Sequence, residues 1–179
     1  MKFKDIPQYT SFGTYAPHTP LMSVISWIEY ETSEGLQLNP DFQRGYVWTE
    51  QQQISYMEYL LKGGKNAITI YFNMPGWMNN WEGDFVCVDG LQRITAVMKF
   101  MKNELPVFGA YYKDFEDKPH HIYLIFNVNN LKTRKEVLQW YIEFNSGGTI
   151  HTKEEINKVK KLLKEEENKS VDKNQKEIL

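Results

Sequence analysis

The chain of 179 residues has the length of one domain with a substantial core. Its formal net charge of −2 means that any nucleic-acid binding must come from a local basic patch, because overall charge offers no attraction to a polyanion. The single cysteine excludes an intrachain disulfide and a cysteine-based zinc site, and no apolar run approaches the length of a membrane span. We therefore expect a cytoplasmic protein with no membrane partner.

A first helix is predicted to begin at Thr19-Pro20, with Thr19 as the N-cap and Pro20 at the first helical position. Gly35 follows the predicted end of this helix, and residues 36–38 alternate as a short strand does. The inward face of the helix is predicted to consist of Leu21, Val24, Ile25 and Ile28.

A second helix is predicted to open with a capping box, in which Thr49 and Gln52 satisfy each other's backbone N–H groups. This helix should extend through Leu61 and stop at Gly63. Its core stripe is predicted to contain Ile54, Met57 and Leu61. Residues 67–72 follow as a strand, because they are rich in β-branched and aromatic side chains.

The second half of the chain is predicted to hold a strand over 122–128 and two more helices. One opens at a capping box of Thr133 and Glu136, and the other at a box of Thr152 and Glu155. Their inward faces are predicted to be Val137, Leu138, Tyr141 and Phe144, then Ile156, Val159 and Leu163. Beyond Lys164 the sequence is charged and almost free of large apolar residues. We expect a domain over 1–164 and a frayed or disordered tail over 165–179.

The centre of the chain, residues 85–98, reads as a buried strand, a tight glycine turn and an amphipathic helix. The turn carries Asp89, Gly90, Gln92 and Arg93 at the N-terminus of the predicted helix, where unpaired N–H groups and the helix dipole favour an anion. A carboxylate can hold Mg²⁺, and a guanidinium can bind phosphate oxygens. The alternative is a plain Asp-Gly turn, in which Arg93 pairs with Asp89 four residues earlier.

A second polar and aromatic loop covers residues 41–48. Phe42, Gln43 and Arg44 stand side by side, so this loop could stack on a base and bind a phosphate. Alternatively, Phe42 and Trp48 fill the core and Arg44 pairs with a carboxylate.

Three segments in this order form a pattern that is more specific than any one of them. They are Pro40-x-Phe42-Gln43-Arg44-x-Tyr46-x-Trp48, Val88-Asp89-Gly90-x-Gln92-Arg93-x-Thr95-Ala96 and Phe144-Asn145-x-Gly147-Gly148-Thr149. The pattern resembles the ParB/sulfiredoxin-like domain that forms the N-terminal half of GmrSD-type modification-dependent restriction enzymes. The resemblance extends over residues 36–156.

This resemblance implies a compact α+β domain, with a small mixed sheet flanked by helices and a C-terminal helical tail. It also implies binding of a nucleoside triphosphate (GTP, ATP or CTP) with Mg²⁺, and several family members hydrolyse it. The family's Asp-Gly-Gln-Gln-Arg core corresponds to residues 89–93, where Leu91 replaces the usual glutamine. If that glutamine contacts the ligand, hydrolysis is weakened here while binding survives.

The family pattern, together with the chemistry of the side chains, suggests a role for each site residue. Asp89 would hold the metal, Gln92 would orient an attacking water and Arg93 would hold phosphates, which makes these three the candidate catalytic residues. The candidate nucleotide-binding residues are Gly90, Arg93, Arg44, Gln43, Phe42 and Asn145.

Two activities are excluded or disfavoured by the residues present. In sulfiredoxins a catalytic cysteine and a histidine stand where this chain has Leu91 and Gln92, so sulfinic acid repair is excluded. The four histidines show no spacing typical of a metal site. They are His18, His120, His121 and His151.

Three functions remain open from the sequence. The favoured one is a triphosphate-binding sensor domain of a GmrSD-like restriction or defence system, and NTPase activity is left open. We expect this domain to lack the His-Asn-His nuclease half of larger family members. It would then work with a separate nuclease subunit. The second is a DNA-binding, ParB-like nuclease domain that contacts DNA through Lys132, Arg134 and Lys135. The third is a non-enzymatic phage or mobile-element protein that acts on a partner nuclease.

Overall fold

The computed structural model describes residues 15–78, 80–146 and 153–176, and within them it confirms the predicted α+β class. The elements are β1 (His18–Pro20), α1 (Leu21–Ser33), α2 (Glu50–Leu61), β2 (Thr69–Asn73), β3 (Val86–Asp89), α3 (Leu91–Met101), β4 (Tyr123–Asn129), α4 (Arg134–Ser146) and α5 (Lys153–Lys176). A short 3₁₀ turn, Tyr112–Asp114, precedes β4. In this described part, no helix is both long and apolar enough to cross a bilayer.

The four strands form one mixed sheet in the order β1-β4-β2-β3. Strand β2 runs parallel to β4 and antiparallel to β3, while β1 is antiparallel to β4. The predicted strand over 36–38 is reduced to a single bridge, in which Gln37 exchanges backbone hydrogen bonds with Phe85 and Cys87 at the outer edge of β3.

Two hydrophobic clusters lie on opposite faces of the sheet. Helices α1, α2 and α3 cover one face, and α4 with α5 covers the other. Strand β3 contributes to both clusters because its side chains alternate, with Cys87 on the first face and Val86 and Val88 on the second. Cys87 is fully buried and its burial raises the pKa of the thiol, which agrees with its prediction as a small apolar core residue.

Helix α1 begins one residue later than predicted. Pro20 is its N-cap, with an extended ψ of 145° and no side-chain cap. Thr19 cannot cap the helix because it belongs to β1, where it pairs with Leu124. The predicted Thr19 cap is therefore wrong, and pairing in the sheet is the physical reason.

The capping box that begins α2 is confirmed, but its buried face is displaced from the prediction. Thr49 and Gln52 satisfy each other's backbone N–H groups. Met57 is fully buried as predicted, whereas Ile54 and Leu61 are only partly buried at the border of the core. The buried residues of this helix are Gln53, Tyr56, Met57 and Leu60.

The capping box that begins α4 is also confirmed, because Glu136 accepts hydrogen bonds from the backbone N–H of Thr133 while the Thr133 hydroxyl accepts from Glu136 N–H. Helix α5 crosses residue 164 without interruption, where fraying was predicted. The predicted Thr152 cap and the glycine-rich segment 147–149 lie outside the described residues.

The course of α5 beyond residue 164 is explained by its contacts with α4. Glu166 pairs with Arg134, and Glu167 pairs with Lys135 at 3.3 Å. Val159 lies in the second cluster at 1% exposure, and this anchors the helix to the sheet.

Candidate functional site

A cavity of about 300 Å³ opens where β3 ends and α3 begins. Residues from all three segments of the sequence pattern line it, although they are far apart in the chain. The lining residues are Gln43, Arg44, Trp48, Ala67, Asp89, Gly90, Leu91, Gln92, Arg93, Tyr141, Phe144 and Asn145. The tertiary fold thus brings nearly every predicted ligand-binding residue to one place.

Phe42 is the predicted nucleotide-binding residue that does not reach this cavity. Its side chain is 3% exposed and packs edge-on against Tyr141, with ring centroids 5.2 Å apart. Phe42 therefore fills the core behind the cavity wall, as the alternative interpretation expected.

The turn between β3 and α3 can accommodate only glycine. Gly90 has φ +115°, a conformation that side chains disfavour, and it forms the N-cap of α3. A Cβ at this position would lie 2.6 Å from Cδ1 of Ile70 in β2. The helix N-terminus thus meets the cavity without a side-chain cap, and its first N–H groups and dipole favour an anion there.

Asp89 and Arg93 form the ion pair that the plain-turn interpretation predicted, and the pair is also part of the cavity wall. The Arg93 side chain is 13% exposed, and its Nη1 group donates to the carbonyls of Ala67 at 3.2 Å and Thr69 at 2.7 Å. Arg93 therefore joins the end of β3 to the start of β2. This use of its donors leaves it less able to bind a phosphate in a fork.

Gln92 clamps the aromatic loop to the start of α3. Its Oε1 atom accepts hydrogen bonds from the N–H groups of Val47 and Trp48, each at 3.1 Å, and its Nε2 atom donates to Gly45. These three hydrogen bonds use the carbonyl end of the amide twice and one of the two N–H groups at its other end, so the loop fixes the orientation of Gln92.

Substitution of Gln92 by leucine is expected to lower the free energy of unfolding by about 1 to 2 kcal/mol, since the loop loses three hydrogen bonds and some of its polar groups regain water. The exposed Tyr46 should then be cut faster by chymotrypsin. Urea unfolding and limited digestion measure both effects. Gln51→Leu, at an exposed position on α2, is the matched control, and equal digestion rates in the two variants would contradict the clamp.

The segment that includes Gln43 and Arg44 ties the loop to other parts of the fold. The Nε2 group of Gln43 donates to the carbonyls of Val88 at 2.8 Å and Cys87 at 3.2 Å. Arg44 lies 3.9 Å from the Glu155 carboxylate on α5. The alternative of an Arg44–carboxylate pair is therefore realised at the cavity itself.

Two residues of α4 have positions that the sequence did not predict. Tyr141, predicted only as core, lines the cavity, and its burial raises its pKa to about 12 while the nearby Arg44 charge acts in the opposite direction. Phe144, also predicted as core, is 37% exposed at the cavity and packs against Tyr71. Asn145 lines the cavity as well, and it donates to the Tyr141 carbonyl at 2.7 Å. In the sequence, Phe144-Asn145 of the third segment was the feature that indicated this part of the cavity wall.

The three predicted DNA-binding residues lie away from this cavity, and each has an intramolecular partner. The ammonium group of Lys132 donates to the Pro75 carbonyl. Arg134 binds both carboxylate oxygens of Asp41, at 2.7 and 2.8 Å. As noted above, Lys135 pairs with Glu167. Carboxylates thus compensate two of the three positive charges of this patch.

Among the described residues that line the cavity, Asp89 is the one with a carboxylate. Within the described ranges no group of three or more His, Cys, Asp or Glu residues could hold a metal. Mg²⁺ commonly takes one or two protein carboxylates and completes its shell with phosphates and water. Asp89, one oxygen of which pairs with Arg93, is therefore the described side chain of this wall that could hold such an ion together with ligands from outside the protein.

The protein is thus an α+β domain with a cavity that is lined by residues of all three sequence segments. A comparison with known protein families then identifies its family. The model of the GmrSD restriction endonuclease N-terminal domain matches residues 26–179. The chain therefore belongs to the GmrSD N-terminal domain family, which associates it with restriction systems. No curated protein and no solved structure matches the chain.

Proposed function

We propose that this chain is a nucleoside-triphosphate-binding sensor domain of a restriction or defence system, and that the triphosphate binds in the cavity at the start of α3. One observation carries the proposal. Residues from three distant segments, 43–48, 89–93 and 141–145, line a single cavity whose volume lies in the range of small-molecule sites.

The chemistry of the cavity wall matches the parts of a nucleotide. The N-terminus of α3 at Gly90 and the guanidinium of Arg44 favour phosphate oxygens. The rings of Trp48 and Phe144 offer surfaces on which a base can stack. Asp89 is the ligand for Mg²⁺, which would neutralise phosphate charge.

The proposed activity is binding, and hydrolysis is a separate question. The Oε1 atom of Gln92 accepts two hydrogen bonds from the loop and its Nε2 atom donates one, while Leu91 contributes an apolar surface without a donor or acceptor. Leu91 therefore supplies no group that orients a water, and the Gln92 amide is held by the loop. GTP, ATP and CTP are all candidates, since no base-specific contact follows from the wall.

A role in DNA sensing and in control of a partner nuclease is part of the proposal through the family description, which names a restriction endonuclease. Direct DNA contact through Lys132, Arg134 and Lys135 has weaker support because acidic side chains or carbonyls already bind these cations. The cytoplasm is the compartment in which such a system would meet DNA.

We expect Asp89→Asn to abolish Mg²⁺-dependent triphosphate binding, because an amide cannot replace the negative charge of a Mg²⁺ ligand. Isothermal titration with GTP, ATP and CTP, with and without Mg²⁺, measures this. Asp84→Asn is the matched control, since Asp84 precedes β3 but is exposed outside the cavity. Unchanged affinity in Asp89→Asn would contradict the metal assignment, and no binding of any triphosphate by the natural chain would overturn the proposed function.

A further inference from the structure

The Arg44–Glu155 contact joins the cavity to helix α5. The two side chains are 21% and 28% exposed, so the pair is partly shielded from water. Their charged atoms are 3.9 Å apart, beyond the range of a strong charge-assisted hydrogen bond. An ion pair of this kind contributes little to stability, so another anion can replace the Glu155 carboxylate beside Arg44 at a small cost in free energy.

The other cationic side chain of the cavity is committed elsewhere. Arg93 uses its guanidinium on Asp89 and on the carbonyls of Ala67 and Thr69. Within the described residues, the ion pair of Arg44 is the one with Glu155. Arg44 is therefore the guanidinium in this wall that an incoming phosphate can engage with least loss of existing contacts.

We propose that Glu155 is an internal competitor for the anion site: its carboxylate and a phosphate group of the ligand compete for Arg44, and the phosphate displaces the carboxylate on binding. This inference rests on the proposed function, because it assigns regulation to the same cavity. Glu155 is thus a positioning residue of the site, contributed by a helix that the three sequence segments do not include.

The rest of α5 stays attached when this contact is exchanged. Val159 is buried in the second cluster, and Glu166 and Glu167 pair with α4 further along the helix. Displacement of Glu155 should therefore change the first turns of α5 locally. Ligand binding in the cavity thus changes the start of α5, which packs with α4 on the second face of the sheet.

The inference predicts that Glu155→Gln binds GTP with Mg²⁺ about threefold to tenfold more tightly than the natural chain, because one repelling and competing charge is removed. Glu154→Gln is the matched control, since Glu154 is its exposed neighbour in the same turn of α5. In an Arg44→Gln background, Glu155→Gln should produce a much smaller gain, because competition for Arg44 is then absent and only the repulsion between Glu155 and the phosphates is relieved. Calorimetric titration of the full chain and of the four variants measures all five affinities.

A parallel titration with inorganic tripolyphosphate separates the anion site from nucleotide recognition. Tighter tripolyphosphate binding in Glu155→Gln without any GTP binding would support the inference and overturn the proposed function. GTP binding that is equal in Glu155→Gln and Glu154→Gln would overturn the inference and leave the proposed function intact. Absence of saturable binding of both probes, in both the natural chain and Glu155→Gln, would overturn both.

Discussion

Gly90→Ala is expected to lower the free energy of unfolding by about 3 kcal/mol, because the new methyl group meets two separate penalties. The first is the backbone conformation at φ +115°, which alanine rarely adopts. The second is steric, since the Cβ would lie 2.6 and 2.8 Å from two side-chain carbons of Ile70. Ile70 is fully buried in β2, between β3 and β4 in the sheet, so it cannot move aside without disturbing the core.

Gly35→Ala provides the control that separates these two penalties. Gly35 has a similar φ of +107° at the end of α1, but a Cβ there meets no atom within 4 Å. Only the conformational cost remains, so we expect a loss of about 1 kcal/mol. Urea unfolding followed by circular dichroism measures both variants. Equal losses would show that contact with Ile70 contributes nothing, and would contradict the close approach of the turn to β2.

Arg93→Ala is expected to abolish triphosphate binding and to destabilise the fold. The substitution leaves the Asp89 carboxylate without its partner and removes two hydrogen bonds to the start of β2. Asp89 is 31% exposed, so solvent screens part of the lost attraction, and we expect a loss of about 2 to 3 kcal/mol rather than that of a fully buried pair. Binding is lost because the Asp89 side chain is no longer held at the cavity wall.

Arg93→Lys distinguishes the shape of this side chain from its charge. Lysine keeps the positive charge, but it cannot donate to Ala67, Thr69 and Asp89 from a planar group. We therefore expect intermediate stability and strongly weakened binding, measured by urea unfolding and calorimetry. Full recovery of both properties by lysine would mean that charge alone matters, and would contradict the bracing of Asp89 by Arg93.

Features that depend on a few neighbouring residues could be predicted from the sequence. The capping boxes at Thr49 and Thr133 formed as expected, because each involves partners three residues apart. The Asp89–Arg93 pair was also predicted from its spacing of four residues, because a single tight turn and the first turn of α3 separate the two side chains. The ordered set of three segments identified the family because their order and spacing are part of the sequence itself.

Features that depend on distant partners were decided by the tertiary structure alone. Thr19 is a residue type that suits the N-cap of α1, but it lies in β1 and pairs with β4 instead. The partners of Gln92 lie 44 to 47 residues away, so local pattern could not show that its amide is occupied. Likewise, the contact of Glu155 with Arg44 joins residues more than 100 positions apart and exists because α5 packs beside α4 on the same side of the sheet.

The sequence by itself thus determined the helices, three of the four described strands, the family and the charged residues of the cavity wall. The tertiary structure decided which of those groups remain available to a ligand, because this depends on the hydrogen bonds and ion pairs that each group already makes within the protein. The sequence tells which donors and acceptors a side chain has, but its hydrogen-bond partners are set only when the distant segments pack together. For this reason Phe42 lies in the core and Gln92 is hydrogen-bonded to the loop, whereas Arg44 lies 3.9 Å from the Glu155 carboxylate.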